Sequence, residues 1–91
     1  MSHTLSISKT ILALLGLALG AAAWAGPQCN VPKDKWMDAQ AFQANLTKQG
    51  YHIKQFKVSS GACYEIYGTD KTGKKVEIYF DPASGEVVKA R

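Results

Sequence analysis

Two runs in the second half of the chain alternate apolar and polar positions with period two. In Cys63-Tyr64-Glu65-Ile66-Tyr67-Gly68, Tyr64, Ile66 and Gly68 share one parity; Cys63, Glu65 and Tyr67 share the other. In Lys75-Val76-Glu77-Ile78-Tyr79-Phe80, Val76, Ile78 and Phe80 alternate with Lys75, Glu77 and Tyr79. Such alternation, rich in β-branched and aromatic residues, predicts two strands with one apolar and one wet face. Asp70-Lys71-Thr72-Gly73 between them predicts a tight turn. The Asp70 side chain can accept from the backbone just ahead, and Gly73 tolerates a positive φ. Asp81-Pro82-Ala83-Ser84-Gly85 repeats the device, with Pro82 presetting φ, and leads into a short last strand at Val87–Lys89.

Upstream, Tyr51 to Val58 predicts a first strand. Tyr51 and Ile53 have one parity and Phe56 and Val58 the other, so the phase slips near Gln55 and predicts a bulge or bend there. Residues 38–49 predict the one helix. Asp38 is a good N-cap, and Met37 and Phe42 have the spacing of a hydrophobic staple. Ala39, Phe42 and Leu46 fall on one face, and Gly50 sits where a left-handed C-cap belongs. Asp34 offers a rival start one turn earlier. Linkers between the strands are too short for parallel crossovers, so the sheet is expected to be antiparallel. The expected fold class is α+β: one helix packed on a three- to four-stranded antiparallel β-meander, a two-layer sandwich. Its expected core is Phe42, Leu46, Ile53, Ile66, Val76, Ile78 and Phe80.

The first 25 residues change the domain picture. Met1 to Lys9 carries one lysine and no acid, Thr10 to Ala23 is apolar, and Ala23-Trp24-Ala25 places small residues at −3 and −1 of a cleavage site. This predicts a secretory signal peptide over 1–25, cut after Ala25, and a periplasmic or secreted bacterial protein that meets the membrane only transiently, through its leader. The apolar run falls short of the roughly 20 residues a membrane span needs. Lipidation at Cys29 is not expected, because Gly26-Pro27-Gln28 lacks the usual small residue directly before the cysteine. The cut leaves 66 of the 91 residues: an irregular arm over 26–37, broken by Pro27 and Pro32, and one folded domain over 38–91.

Losing Lys9 takes the net charge from +4 to +3, and no basic run exceeds Lys74-Lys75. A scattered charge of this size speaks for solubility and against a nucleic-acid partner. Cys29 and Cys63 are the only cysteines. In an oxidising compartment they are expected to form a structural disulfide that pins the arm to the central hairpin. A zinc site is not expected: His52 is the only histidine after the cut, and three N/S ligands do not close a structural site.

The means for catalysis are thin. A nucleophile needs a base within reach and a group that orients the base. His52 lies in the first strand, on the face opposite Tyr51 and Ile53, and is expected to be exposed. Glu65 and Glu77 lie on adjacent strands, with Lys74 and Lys75 near enough to pair with them. They predict a cross-strand charge ladder on the wet face. No catalytic residue, metal ligand or cofactor is assigned. What remains is a surface. Tyr67 and Tyr79, facing away from Ile66 and Ile78, together with Lys75 and Trp36, are the candidate partner-binding residues. Cross-strand pairing for the tyrosines and cover of the core edge for Trp36 are the bland alternatives. The sheet edges, at the first strand or at Val87–Lys89, also offer strand addition to a peptide.

Taken together, GYHIKQFKV, CYEIYGTDKTGKKVEIYF and the closing DPASGEVV resemble the PepSY domain family, named for peptidase propeptides. The likeness runs from Asp38 to Val88, and Asp81 to Val87 is its most specific piece. The cysteines and the Trp36-Met37 arm look similar to a small single-domain subgroup of exported bacterial proteins. The resemblance implies a helix on an antiparallel sheet for a PepSY-like domain over 38–91, and a non-enzymatic module that binds a protein or peptide. The family name suggests a secreted peptidase as that partner. No peptidase follows in these 91 residues, so restraint in trans is the expected form. The alternative is a small-ligand or metal-binding periplasmic protein using the tyrosine and lysine face.

Overall fold

A computed structural model of the chain describes residues 26–91; the expected leader and the residues before its cleavage point lie outside the described residues. Helix α1 spans Ala39–Lys48, and the strands are β1 (His52–Val58), β2 (Tyr64–Thr69), β3 (Lys75–Phe80) and β4 (Val87–Ala90). The sheet order is β1-β2-β3-β4, every neighbouring pair antiparallel. It is the α+β sandwich that the alternation predicts, with four strands.

Both ends of α1 follow from the residues there. Asp38 accepts from the Ala41 N–H at 2.9 Å and caps the start. At the far end the Tyr51 N–H reaches the Leu46 carbonyl and the Gly50 N–H the Thr47 carbonyl, with Gly50 at φ +103°. That pair of bonds is a Schellman motif, and it aims the chain straight into β1. Asp34 does not start the helix. It sits in a separate 3-10 turn, Lys33–Lys35.

The two tight turns close as their sequences predict. One Asp70 oxygen accepts from the Thr72 N–H, the Thr72 hydroxyl and the Lys74 N–H, within 3.0 Å in each case. In the second turn one Asp81 oxygen accepts from the Ala83 and Ser84 N–H groups. The Pro82 carbonyl accepts from the Met37 N–H, so the arm and the second turn hold each other.

The core lies between α1 and one face of the sheet. Phe42, Leu46, Ile66, Ile78 and Phe80 are buried as expected; Ile53 and Val76 are half-buried at its margin. Tyr64 and Phe56 join them. Phe42 meets Tyr64 and Phe80 at ring-centroid distances of 5.0 Å, and Phe56 meets Tyr64 at the same distance. Tyr64 tolerates burial because its hydroxyl donates to the Met37 carbonyl.

The phase slip in β1 is a bulge: Ile53 pairs with Gly68 and Gln55 with Tyr67, leaving Lys54 without an opposite residue. The extra residue lets Ile53 and Phe56 both turn to the core. It also presses the β1 backbone onto Gly68, where an added Cβ would stand 2.0 Å from the His52 carbonyl oxygen. Gly68→Ala is therefore expected to cost about 1–3 kcal/mol, as overpacking does, read from the urea midpoint at constant m-value.

Cys29 and Cys63 are bonded, with their Cα atoms 5.3 Å apart and a sequence separation of 34. A loop of that size gives about 3–4 kcal/mol by closure entropy. The double variant Cys29→Ala/Cys63→Ala should unfold at correspondingly lower urea; an unchanged midpoint would refute the staple.

Candidate functional site

The face of the sheet away from α1 carries the candidate chemistry, and strand register arranges it in rows. Lys57, Glu65, Tyr79 and Lys89 stand opposite one another across β1 to β4. Gln55, Tyr67 and Glu77 form the next row, which Arg91 extends through its backbone bonds to Glu77. The arm then crosses this face. Cys63 has the same parity as Glu65 and Tyr67, so its bond to Cys29 draws Gly26 and Pro27 to this side of the sheet. The Cys29 N–H donates to the Gly61 carbonyl at 2.9 Å. Gly61 has no side chain to block the crossing: an added Cβ would meet the Pro27 carbonyl oxygen at 2.0 Å.

The crossing changes what alternation assigns to water. Glu65 is only 2% exposed and Tyr79 7% exposed. The expected wet ladder is thus partly roofed. Its expected partners are also different: Lys74 and Lys75 do not engage the two glutamates. Lys57 lies 3.9 Å from Glu65 Oε1, and Arg91 Nε lies 3.0 Å from Glu77 Oε1. Lys75 stands two places along β3 from Glu77, opposite Thr69.

The two carboxylates share hydroxyl donors. Tyr79 donates to Glu77 Oε2 at 3.1 Å. The Tyr67 hydroxyl interacts with both, and its pKa is pushed far up, first by the Glu77 bond and then by the Glu65 bond. Burial alone would raise the Glu77 pKa. A shared hydrogen-bond interaction with Glu65, together with bonds from Tyr67, Arg91 and Tyr79, outweighs it and brings the value down to about 2. Glu65 Oε2 is buried and has no hydrogen-bond partner among the described residues.

Around these groups lies a cleft of about 710 Å³, lined by Glu65, Tyr67, Tyr79, Lys57, Lys89 and Arg91, with Gly26 and Pro27 at its roof. Two of the sequence candidates, Tyr67 and Tyr79, meet there. The other two do not. Lys75 borders a second hollow of about 440 Å³ towards the other end of the sheet, beside His52, Ile53 and Val76, which it shares with Tyr67 but not with Tyr79. Trp36 lies on the helix side, its ring edge-on to Tyr64 at 5.6 Å and its indole N–H donating to the Val31 carbonyl at 2.9 Å. Glu65, Glu77 and Arg91 are the residues that sequence reasoning left off the site. The shared parity of Cys63 and Glu65 was the signal for the first.

The acid behaviour of this cluster has a definite sign. A carboxyl held below its ordinary value near 4.5 contributes stability above that pH and loses it as pH falls toward about 2. The Asp70 carboxyl, lowered chiefly by the Thr72 hydroxyl, acts in the same direction. Glu77→Gln should therefore show a shallower loss of urea stability across that range than the parent protein, without a flat profile.

No curated protein and no solved structure matches the chain. The family model described as the peptidase propeptide and YPEB domain matches residues 9–91. That span is most of the chain, and it contains the helix, all four strands and the roofed cleft: the chain belongs to the peptidase propeptide and YPEB domain family.

Proposed function

We propose that this domain is a non-enzymatic interaction module of the periplasm or the extracellular space, which restrains a secreted peptidase in trans through the open face of its sheet. The family is one of propeptide-like and inhibitory modules, which supports a protein partner and a peptidase as its class. The observation that carries the choice of face is the cleft itself. It sets two tyrosine rings and charges of both signs around a concavity of about 710 Å³, large enough for one or two partner side chains. Aromatic rings and arginine beside a desolvated centre are what protein interfaces use for their strongest contacts.

Both sheet edges, β1 and β4, are also unpaired among the described residues. Val87 and Val88 on β4 are about half exposed, so strand addition at β4 is the competing mode. The metal-binding alternative has less support: among the described residues no group of three or more His, Cys, Asp or Glu side chains is placed to hold an ion.

Adding the domain over 26–91 to the exported peptidases of the source cell should slow peptide hydrolysis in a saturable way. Tyr67→Ala, with its fold checked by circular dichroism, should raise the half-inhibiting concentration about tenfold or more, the size of a hot-spot loss. Equal inhibition by Tyr67→Ala, with loss in Val88→Pro instead, would move the contact to the β4 edge. No inhibition of any exported peptidase would reject the reading.

A further inference from the structure

The roofed cleft holds a mismatch. Glu65 is 2% exposed, yet its Oε2 has no hydrogen-bond partner among the described residues. A buried carboxylate oxygen without a donor is costly. Lys57 approaches the other oxygen of Glu65, at 3.9 Å, from a side chain that is 47% exposed. Arg91 is bonded to Glu77. Lys89 lines the same cleft without a bond to either carboxylate. A donor to Oε2 is wanted from within the cleft.

Gly26 lines the same cleft as Glu65, and an atom added on its Cα would stand 3.8 Å from the Tyr79 hydroxyl oxygen. That hydroxyl in turn donates to Glu77. Gly26 is also the residue that the expected cut would make the first of the chain. Hydrolysis adds water across the Ala25–Gly26 amide. Ala25 leaves with a carboxylate, and Gly26 keeps the nitrogen, which takes up a proton. One neutral N–H donor thereby becomes a cation with three.

We propose that the α-ammonium of Gly26, created by removal of the leader, is the ligand of the Glu65 and Glu77 carboxylates, so that export processing completes the open face of the sheet. The inference takes the cut after Ala25 from the sequence and does not depend on a peptidase being the partner. An exposed glycine with a positive φ suits the role: it leaves the nitrogen hydrated on one side and carries no side chain into Tyr79. The charged groups that face the ammonium are Glu65 and Glu77, which favour it, and Lys57, Lys89 and Arg91, which oppose it. Lys57 and Arg91 are already engaged, with Glu65 Oε1 and Glu77 Oε1, so the balance at Glu65 Oε2 favours a further cation.

The sign of the linkage is fixed. An amine that gains a carboxylate partner has its folded pKa raised above the ordinary 7.7–8.0 or so. Its stabilisation is complete below that range and is lost as pH rises through the folded value. The test compares three proteins: one beginning at Gly26, released from a fusion without added residues; the same protein with Gly26 Nα-acetylated; and one beginning at Trp24. NMR titration of the Gly26 amine should give a pKa raised by about one unit, a tenfold change in proton affinity. At pH 6 the free Gly26 form should unfold at higher urea than both others, and Glu65→Gln should remove the raised pKa. An ordinary amine pKa, or equal urea midpoints for the free and acetylated forms, would overturn the inference. So would an exported natural protein whose N-terminal sequence begins elsewhere than Gly26. Because the readouts are titration and stability, a failure here is separate from a failure to inhibit any peptidase.

Discussion

The bond between Cys29 and Cys63 decides what each face of this small sheet becomes. One face is closed by α1, whose Phe42 and Leu46 fill the space over Ile66 and Ile78. The other would be bare. The disulfide carries the arm to that side, and the arm then passes round the sheet end to place Trp36 and Met37 against the helix-side core. A segment of about a dozen residues thus touches both layers. In a domain this size the hydrophobic core alone gives limited stability, and a covalent tie that orders both layers compensates.

The same tie creates the electrostatic character of the open face. Two glutamates on adjacent strands would be an unremarkable solvated pair if left in water. Under the arm, Glu65 loses almost all solvent, and Glu77 on the neighbouring strand keeps 19% side-chain exposure. Their charges are then met by what the sheet brings alongside: hydroxyls of Tyr67 and Tyr79, and cations at the two edges, Lys57 from β1 and Arg91 beyond β4. The edge positions matter, since a long side chain from an outer strand can reach inward while its tail stays wet.

Much of the fold was legible because it is locally encoded. Asp38, Gly50, Asp70, Gly73 and Asp81 each specify a cap or turn through their own side chain or φ, and all of them sit where the sequence predicts. The phase slip near Gln55 is a local signal too, and the bulge is there. The candidate site was half legible. Parity places Tyr67 and Tyr79 together on one face, since register only needs the alternation. It cannot show that Glu65 is buried, because burial depends on the arm, whose cysteine is 34 positions from Cys63 in sequence. Nor can it separate Trp36 from the tyrosines: the arm has no periodicity to read, and its course is set by one bond and two prolines. Lys75 shares the parity of Glu77 and Tyr79, yet along a strand each residue advances about 3.3 Å, and four positions from Tyr79 it borders the second hollow instead of the cleft.

The bulge in β1 has an effect on how copies of this protein meet. An outer strand that is flat, long and apolar invites a second molecule to pair with it and begin a stack. Here β1 bends at Lys54, and Lys57 follows three positions on. Two molecules approaching along this border would have to match two irregular ladders and bring four ammonium groups into one seam. The strand that fastens the helix to the sheet is in this way a poor template for a second copy.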